Sequence, residues 1–477
     1  MKNLIIVVLT LLLTCQLSYA NKVDSIVYSS FGKIIMYHPD SEPTSVALFV
    51  SGDGGWETGV VDMAKSIAAQ GALVLGIDAR HYKKSFGSQA SKCLYPASDF
   101  ENLSLMIQKK MQFSQYLKPV LVGYSYGATL IYGILAQAPA NTFKGALALG
   151  FCPDIEMPKS LCEGTGLRSH LAPDKKTYWL ERTLDLSAPF VALNGIKDLN
   201  CPYAATRTFL EGMPKAKLIT LPKVGHGFSV TANWLPQFKA AYNEILAEPS
   251  FAEQKTIQNG LQNEQKVAAK KLGFLPLTLI PAARKSDKPL VFFISGDGGW
   301  TSFDQSLAES LAKDGLPVVG LDAQKYFWKE KSPEQTAADI SRSVDYYMQG
   351  WDRSEFVIVG FSFGASVVPF VVNRFATETR KHLKGIILLS PDEYADFEIH
   401  IADMLNLGKA NGPYHVLAEL NKIKELKPVC IFGSQEESEL FVKLKSQNIK
   451  ALAIPGGHHY NNNFSALSAA VVGNIGK

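Results

Sequence analysis

The sequence predicts an α/β fold built twice, and three observations carry that prediction. The 477-residue chain repeats itself: Ser51-Gly52-Asp53-Gly54-Gly55-Trp56 returns as Ser295-Gly296-Asp297-Gly298-Gly299-Trp300, and Gly123-Tyr124-Ser125-Tyr126-Gly127-Ala128 returns as Gly360-Phe361-Ser362-Phe363-Gly364-Ala365, in the same order. Each half alternates apolar, strand-like runs with amphipathic helical stretches, the pattern of a parallel sheet covered by helices. In each half the second motif contains Gly-x-Ser-x-Gly, the sharp turn between strand and helix that exposes a nucleophilic serine. Together these predict two tandem α/β-hydrolase domains from an internal duplication, preceded by a signal peptide.

Element by element, Met1 to Ala20 has the three parts of a secretory signal. Lys2 is its basic start, Leu4 to Leu13 its apolar core, and Ser18-Tyr19-Ala20 a small-x-small cleavage site. The apolar run is short for a membrane span. Thr14 fits poorly before Cys15 for a lipoprotein signal. The first domain is then 21–248, with strands at Ser45 to Val50, Ala72 to Ile77, Pro119 to Gly123, Gly145 to Gly150 and Pro189 to Leu193. Its helices are predicted at Val60 to Gln70, Phe100 to Leu117 and Ala128 to Ala136. A polar stretch rich in Glu, Gln and Lys makes 249–270 the linker. The second domain, 271–477, repeats the strands at Pro289 to Ile294, Pro317 to Leu321, Phe356 to Gly360, Gly385 to Leu389 and Pro428 to Phe432. Each domain carries a long insertion, Phe151 to Ser187 and Ser390 to Lys427, where a lid over the serine is expected.

Composition is that of an ordinary globular protein, with 47% hydrophobic and 19% charged residues and a net charge of +4. So small a balance argues against a nucleic-acid partner. An export signal predicts the periplasm, where Cys93, Cys152, Cys162 and Cys201 can form two disulfides by any of three pairings. Cys430, inside an apolar run, reads as a buried free thiol.

A serine hydroxyl becomes a nucleophile when a histidine takes its proton and a carboxylate holds that histidine in one tautomer. In α/β-hydrolases the chain order is serine, acid, histidine. The first half offers Ser125, Asp198 and His226, and the second Ser362, Glu436 and His458, with Glu437 and His459 as fallbacks. Asp198 and Glu436 each stand three residues after a strand-ending glycine, Gly195 and Gly433. The Gly-Asp-Gly-Gly-Trp loops follow the first strong strand of each half, where the oxyanion-hole amides belong. Asp53, Gly54 and Tyr126, and Asp297, Gly298 and Phe363, are the candidate donors. Without a following Gly-Lys-Ser/Thr the loops do not read as nucleotide sites. Asp78 and Asp322 end matching strands and read as structural. The tract Asp392, Glu393, Asp396 and Glu398 opens the second insertion and is a candidate pocket for a cationic substrate group. The chemistry calls for no metal and no cofactor.

The second half also carries Asp322 with Tyr326-Phe327-Trp328, Ser332-Pro333-Glu334-Gln335-Thr336, Leu389-Ser390-Pro391, Ala395 to His400 and Pro455-Gly456-Gly457-His458-His459. With the Gly-Gly-Trp and Gly-Phe-Ser-Phe-Gly-Ala motifs, these resemble the AcvB/VirJ family of bacterial virulence-associated periplasmic proteins, over about Leu272 to the C terminus. The resemblance implies an α/β-hydrolase that cleaves aminoacyl-phosphatidylglycerol, notably the lysyl form, at the outer face of the inner membrane. It also implies a link to components of type IV secretion. By motif the family's nucleophile, acid and base fall on Ser362, Glu436 and His458. Two rivals remain open from sequence: a serine esterase or lipase acting on another ester, and a non-catalytic periplasmic scaffold.

Overall fold

The computed structural model describes residues 23–56, 59–88, 91–249, 272, 275–400 and 412–476. The predicted signal and nearly all of the predicted linker lie outside them. In the first half the strands are β1 (Val23–Tyr28), β2 (Gly32–Tyr37), β3 (Ser45–Val50), β4 (Ala72–Ile77), β5 (Val120–Tyr124), β6 (Gly145–Leu149), β7 (Asp154–Glu156), β8 (Ser169–Leu171), β9 (Thr177–Leu180), β10 (Phe190–Gly195) and β11 (Ala216–Leu221). Eight of them make one sheet in the order β1-β2-β4-β3-β5-β6-β10-β11. From β4 to β11 every pairing is parallel. Every residue of β3, β4, β6 and β10 is buried, because helices cover both faces of the sheet.

The second half has β12 (Leu277–Ile280), β13 (Leu290–Ile294), β14 (Val318–Leu321), β15 (Phe356–Phe361), β16 (Leu383–Leu389), β17 (Tyr394–Ala395), β18 (Tyr414–His415), β19 (Val429–Gly433) and β20 (Lys450–Ile454). Its sheet runs β12-β14-β13-β15-β16-β19-β20. Strand β12 lies antiparallel to β14, as β2 lies antiparallel to β4. Each half buries one apolar cluster on either face of its sheet. The duplication extends to packing. A methyl group on Gly76 would come within 2.2 Å of the Trp56 ring, and one on Gly320 within 2.1 Å of Trp300. In both halves the loop tryptophan therefore lies flat on a strand that can only carry glycine there.

The structure departs from the sequence reading in places with clear causes. The helix expected over Phe100 to Leu117 is Pro96–Lys110, with proline in its first turn, where no amide is needed. It stops because Gln112 turns to a positive φ of 58°. The following segment folds back, and Gln108 exchanges two hydrogen bonds with the backbone of Leu117, at 2.7 and 2.8 Å. The first insertion holds a small antiparallel sheet, β7-β9-β8. The second holds the β17-β18 pair and the helix Val416–Lys422, with 401–411 outside the described residues. The disulfides are Cys93–Cys162 and Cys152–Cys201, and Cys430 is free and buried.

The halves touch through the helix Pro96–Lys110, the segment after it, and Asn141 in the turn before β6. Leu105 and Tyr116 form an apolar cluster with Trp328, whose indole N–H donates to the Phe113 carbonyl at 3.0 Å. Lys109 pairs with Glu398 at 2.8 Å, and the Asn141 amide donates to the Trp300 carbonyl at 2.8 Å. No helix among the described residues is long and apolar enough to cross a membrane.

Candidate active sites

Two serines sit on strained turns. Ser125 follows β5 with φ 54° and ψ −118°, and Ser362 follows β15 with φ 52° and ψ −115°. These left-handed dihedrals are costly for a residue with a side chain, and the surroundings enforce them. A methyl group on Gly123 would meet the Gly127 carbonyl oxygen at 2.3 Å, and one on Gly127 the Val50 carbonyl oxygen at 2.3 Å. Gly360 and Gly364 are enclosed the same way. The two glycines let strand and helix close around the turn, which pushes the serine hydroxyl out.

A histidine and a carboxylate meet each serine. In the first half His226 Nε2 lies 2.9 Å from Ser125 Oγ, and Nδ1 lies 2.9 Å from Asp198 Oδ2. Asp198 is fixed in turn by the Asn200 and Cys201 amides, which donate to Oδ1 at 3.0 and 2.8 Å. In the second half His458 Nε2 lies 3.0 Å from Ser362 Oγ, and Nδ1 lies 3.1 Å from Glu436 Oε2. Ser390 Oγ and the Gly433 amide donate to Glu436 Oε1 at 2.6 and 2.5 Å. With the Ser390 proton committed to Glu436, the single Tyr460 hydroxyl proton has two acceptors in reach, Ser390 Oγ at 2.6 Å and the Ile431 carbonyl at 2.9 Å. Neither Ser390 nor Tyr460 was singled out from sequence, although Leu389-Ser390-Pro391 was visible as a motif. The fallback His459 packs on Phe303 and Phe361.

The Asp198 carboxylate is fully enclosed, whereas the His458 side chain is 43% exposed, so the second array is the more open. Burial works against charge on His458. The hydrogen bond to Glu436 and the charges of Glu436, Asp392 and Asp297 outweigh it and raise its pKa. For Glu436 burial pulls upward, but the bonds from His458, Ser390 and the Gly433 amide hold the carboxyl below its ordinary value.

Both Gly-rich loops lie against their serines. A methyl on Gly52 would fall 3.1 Å from Ser125 Cβ, and one on Gly296 3.7 Å from Ser362 Cβ. The Tyr126 and Phe363 amides open their helices and so have no acceptor within them. Asp53 and Gly54 follow Gly52 directly on its loop. At Asp297 and Gly298 the loop's own carboxylate takes up the candidate amide. The Gly298 amide donates to Asp297 Oδ1 at 3.0 Å. A short acidic side chain bonds its own backbone readily, so a substrate oxygen must displace it. Protein crowds this carboxyl although it reaches solvent. That crowding, with Asp392 nearby, raises its pKa against the pull of the Gly298 amide and His458. From the first half, Glu101 also faces Asp297, and burial pushes it up to about 7.

In the acidic tract Glu393 pairs with Lys443, Asp396 with His400 at 3.0 Å, and Glu398 with Lys109. These three carboxylates already have basic partners within the protein, which tie the insertion and the junction between halves. Asp392 acts on both Asp297 and His458 through its charge. Asp78 and Asp322 cap helices by accepting backbone amides. Among the described residues no group of three or more His, Cys, Asp or Glu side chains is arranged to hold a metal ion. A cavity of about 640 Å³ between the halves is lined by Tyr116, Lys144 and Tyr326 among others, and neither serine lines it.

Fold and site together define an α/β-hydrolase with a Ser–His–acid array in each half. A model of the bacterial virulence protein VirJ matches residues 44–150 and 288–477, and the chain belongs to that family. Among solved structures, the esterase domain of a Rhodothermus marinus protein is 13% identical, covers 46% of this chain and 96% of its own, with a TM-score of 0.33. Est1E from Butyrivibrio proteoclasticus is 14% identical over 47% of this chain and 99% of its own, TM-score 0.32. An alpha-beta serine hydrolase homologue from Coxiella burnetii is 13% identical over 47% and 97%, TM-score 0.32. Comparison with curated proteins finds no match.

Proposed function

We propose that the protein is a periplasmic serine esterase that hydrolyses aminoacyl-phosphatidylglycerol, the lysyl form in particular, to free amino acid and phosphatidylglycerol. The observation that carries the hydrolase reading is the second array, in which Ser362, His458 and Glu436 are in bonding register within a region that matches the VirJ family. Ser362 Oγ attacks the ester carbonyl as His458 takes its proton. The negative oxygen is stabilised by the Phe363 amide and by the Gly-rich loop once Asp297 has swung away. His458 then protonates the leaving glycerol oxygen, and water attacks the acyl-enzyme by the same route in reverse. The lysyl choice rests on the family resemblance. The negative field of Asp297 and Asp392 around His458 suits a substrate bearing ammonium groups.

In the first half Ser125, His226 and Asp198 support a second esterase site. Two intact arrays speak against a purely non-catalytic scaffold. A fluorophosphonate probe tests the reading directly. The wild type should label at both serines, with one site lost in each of Ser125→Ala and Ser362→Ala. Absence of labelling at Ser362 would remove the hydrolase reading of the second half.

A further inference from the structure

The duplication supplies an internal control for the two loops that carry acid and base. In the first half the Ile196 amide donates to Leu221 O and the Lys197 amide to Val224 O, at 3.1 and 3.0 Å. In the second half Ser434 donates to Ile454 O and Gln435 to Gly456 O, at 2.7 and 2.9 Å. After the histidine, Phe228 donates to Gly225 O as Tyr460 donates to Gly457 O, and both aromatic residues have positive φ. The acid loops therefore correspond one to one, Ile196 with Ser434, Lys197 with Gln435 and Leu199 with Glu437. The base loop of the first half is one residue longer between strand and histidine, and beyond the shared Phe228/Tyr460 turn Val230 matches Asn462 in sequence register alone.

What differs is the surface. Ile196 is 53% exposed, Leu199 90% and Val230 56%, while their counterparts are polar or acidic. The backbone plainly folds without these aliphatic tips, so their presence in water needs another reason. Exposed Lys197 and Lys223 stand among them. The loops meet through the His226–Asp198 contact and the Lys197–Val224 backbone bond, so both flank the Ser125 site. The Cys152–Cys201 bridge ties that surface to the first insertion, which exposes Leu171, Trp179 and Leu184. Of the large apolar side chains exposed among the described residues, only Val442 lies in the second half.

We propose that the loops 196–200 and 222–230 are a docking face for an anionic lipid surface, seating the mouth of the Ser125 site on the bilayer. Protruding aliphatic tips enter the headgroup boundary while lysines meet anionic lipid, the two signals that together hold a protein at a membrane. A flat protein interface would bury these tips against aromatic anchors, and none stands exposed on these two loops. This deepens the lipid-ester reading above, but docking and hydrolysis are measured separately.

The test is sedimentation with vesicles, using the chain from Asn21 onward, which holds every described residue and lacks the apolar run Leu4 to Leu13. The wild type should bind phosphatidylglycerol vesicles more tightly than phosphatidylcholine vesicles. Ile196→Ser/Leu199→Glu/Val230→Asn, which takes the second half's own residues, should weaken binding at least tenfold, and Val442→Asn should leave it unchanged. Fluorophosphonate labelling at Ser125 reports whether the triple variant is folded. If it is not, Lys197→Gln/Lys223→Gln decides, with an expected loss confined to phosphatidylglycerol vesicles. A wild type that ignores phosphatidylglycerol vesicles, or a folded variant that binds as the wild type does, overturns the proposal. Docking without lysine release would sink the substrate reading and leave the docking face standing.

Discussion

Replacing Glu436 with glutamine changes one atom, and the structure dictates which way the new amide must face. Oε1 accepts from Ser390 Oγ and from the Gly433 amide, so that position keeps its oxygen in Glu436→Gln. The NH2 group is then forced toward His458 Nδ1, 3.1 Å away. A donor there makes Nδ1 the acceptor and puts the imidazole proton on Nε2, which faces Ser362 Oγ at 3.0 Å. In that tautomer His458 cannot take the serine proton. The equivalent carboxylate-to-amide change in serine proteases costs roughly ten-thousand-fold in kcat, which corresponds to about 5 kcal/mol of transition-state stabilisation. Because both donors to Oε1 stay satisfied, the fold should lose little. The assay is kcat/KM on a soluble ester in a Ser125→Ala background, with thermal unfolding alongside. A loss below about tenfold with the fold intact would refute the assigned role of Glu436, since that small an effect is ordinary side-chain repacking.

Other predictions read different parts of the molecule. The raised pKa of His458 means that Ser362-site activity falls as pH drops through that pKa, because the base is then already protonated. Asp392→Asn removes one of the charges that raise it and should move this acid limb to lower pH, read as kcat/KM against pH. Reducing Cys152–Cys201, or Cys152→Ser/Cys201→Ser, should slow the Ser125 site alone, because the Cys201 amide is one of the two donors that fix Asp198. Labelling at Ser125 and Ser362 under reduction checks this, and equal loss at both would contradict it. Trp328 is buried between the halves, so Trp328→Ala should cost about 3–5 kcal/mol in denaturant unfolding, whereas unchanged stability would mean the halves do not rely on that contact.

The parts of this molecule that were legible in its sequence are those whose cause is local. Gly-x-Ser-x-Gly can be read because two glycines must be small for strand and helix to close around a strained serine. The central parallel strands can be read because a strand covered on both faces is apolar throughout. Long-range partners left no such trace. The Asp297-Gly298 pair looks like open backbone until the Asp297 carboxylate is seen accepting from the Gly298 amide. Glu393 and Glu398 look like a substrate pocket until Lys443 and Lys109 arrive from other elements, the latter from the other half. Strand β12 and the β1-β2 hairpin pair antiparallel at sheet edges, and nothing in their own residues announces the partner.

The most direct test of the account is lysine release from lysyl-phosphatidylglycerol by the chain from Asn21 onward, beside Ser125→Ala and Ser362→Ala. The account predicts release by the wild type and its loss in Ser362→Ala, with the Ser125→Ala result measuring what the first site adds. A wild type that cleaves a simple ester but frees no lysine would contradict the proposed substrate, and full release by Ser362→Ala would contradict the proposed nucleophile.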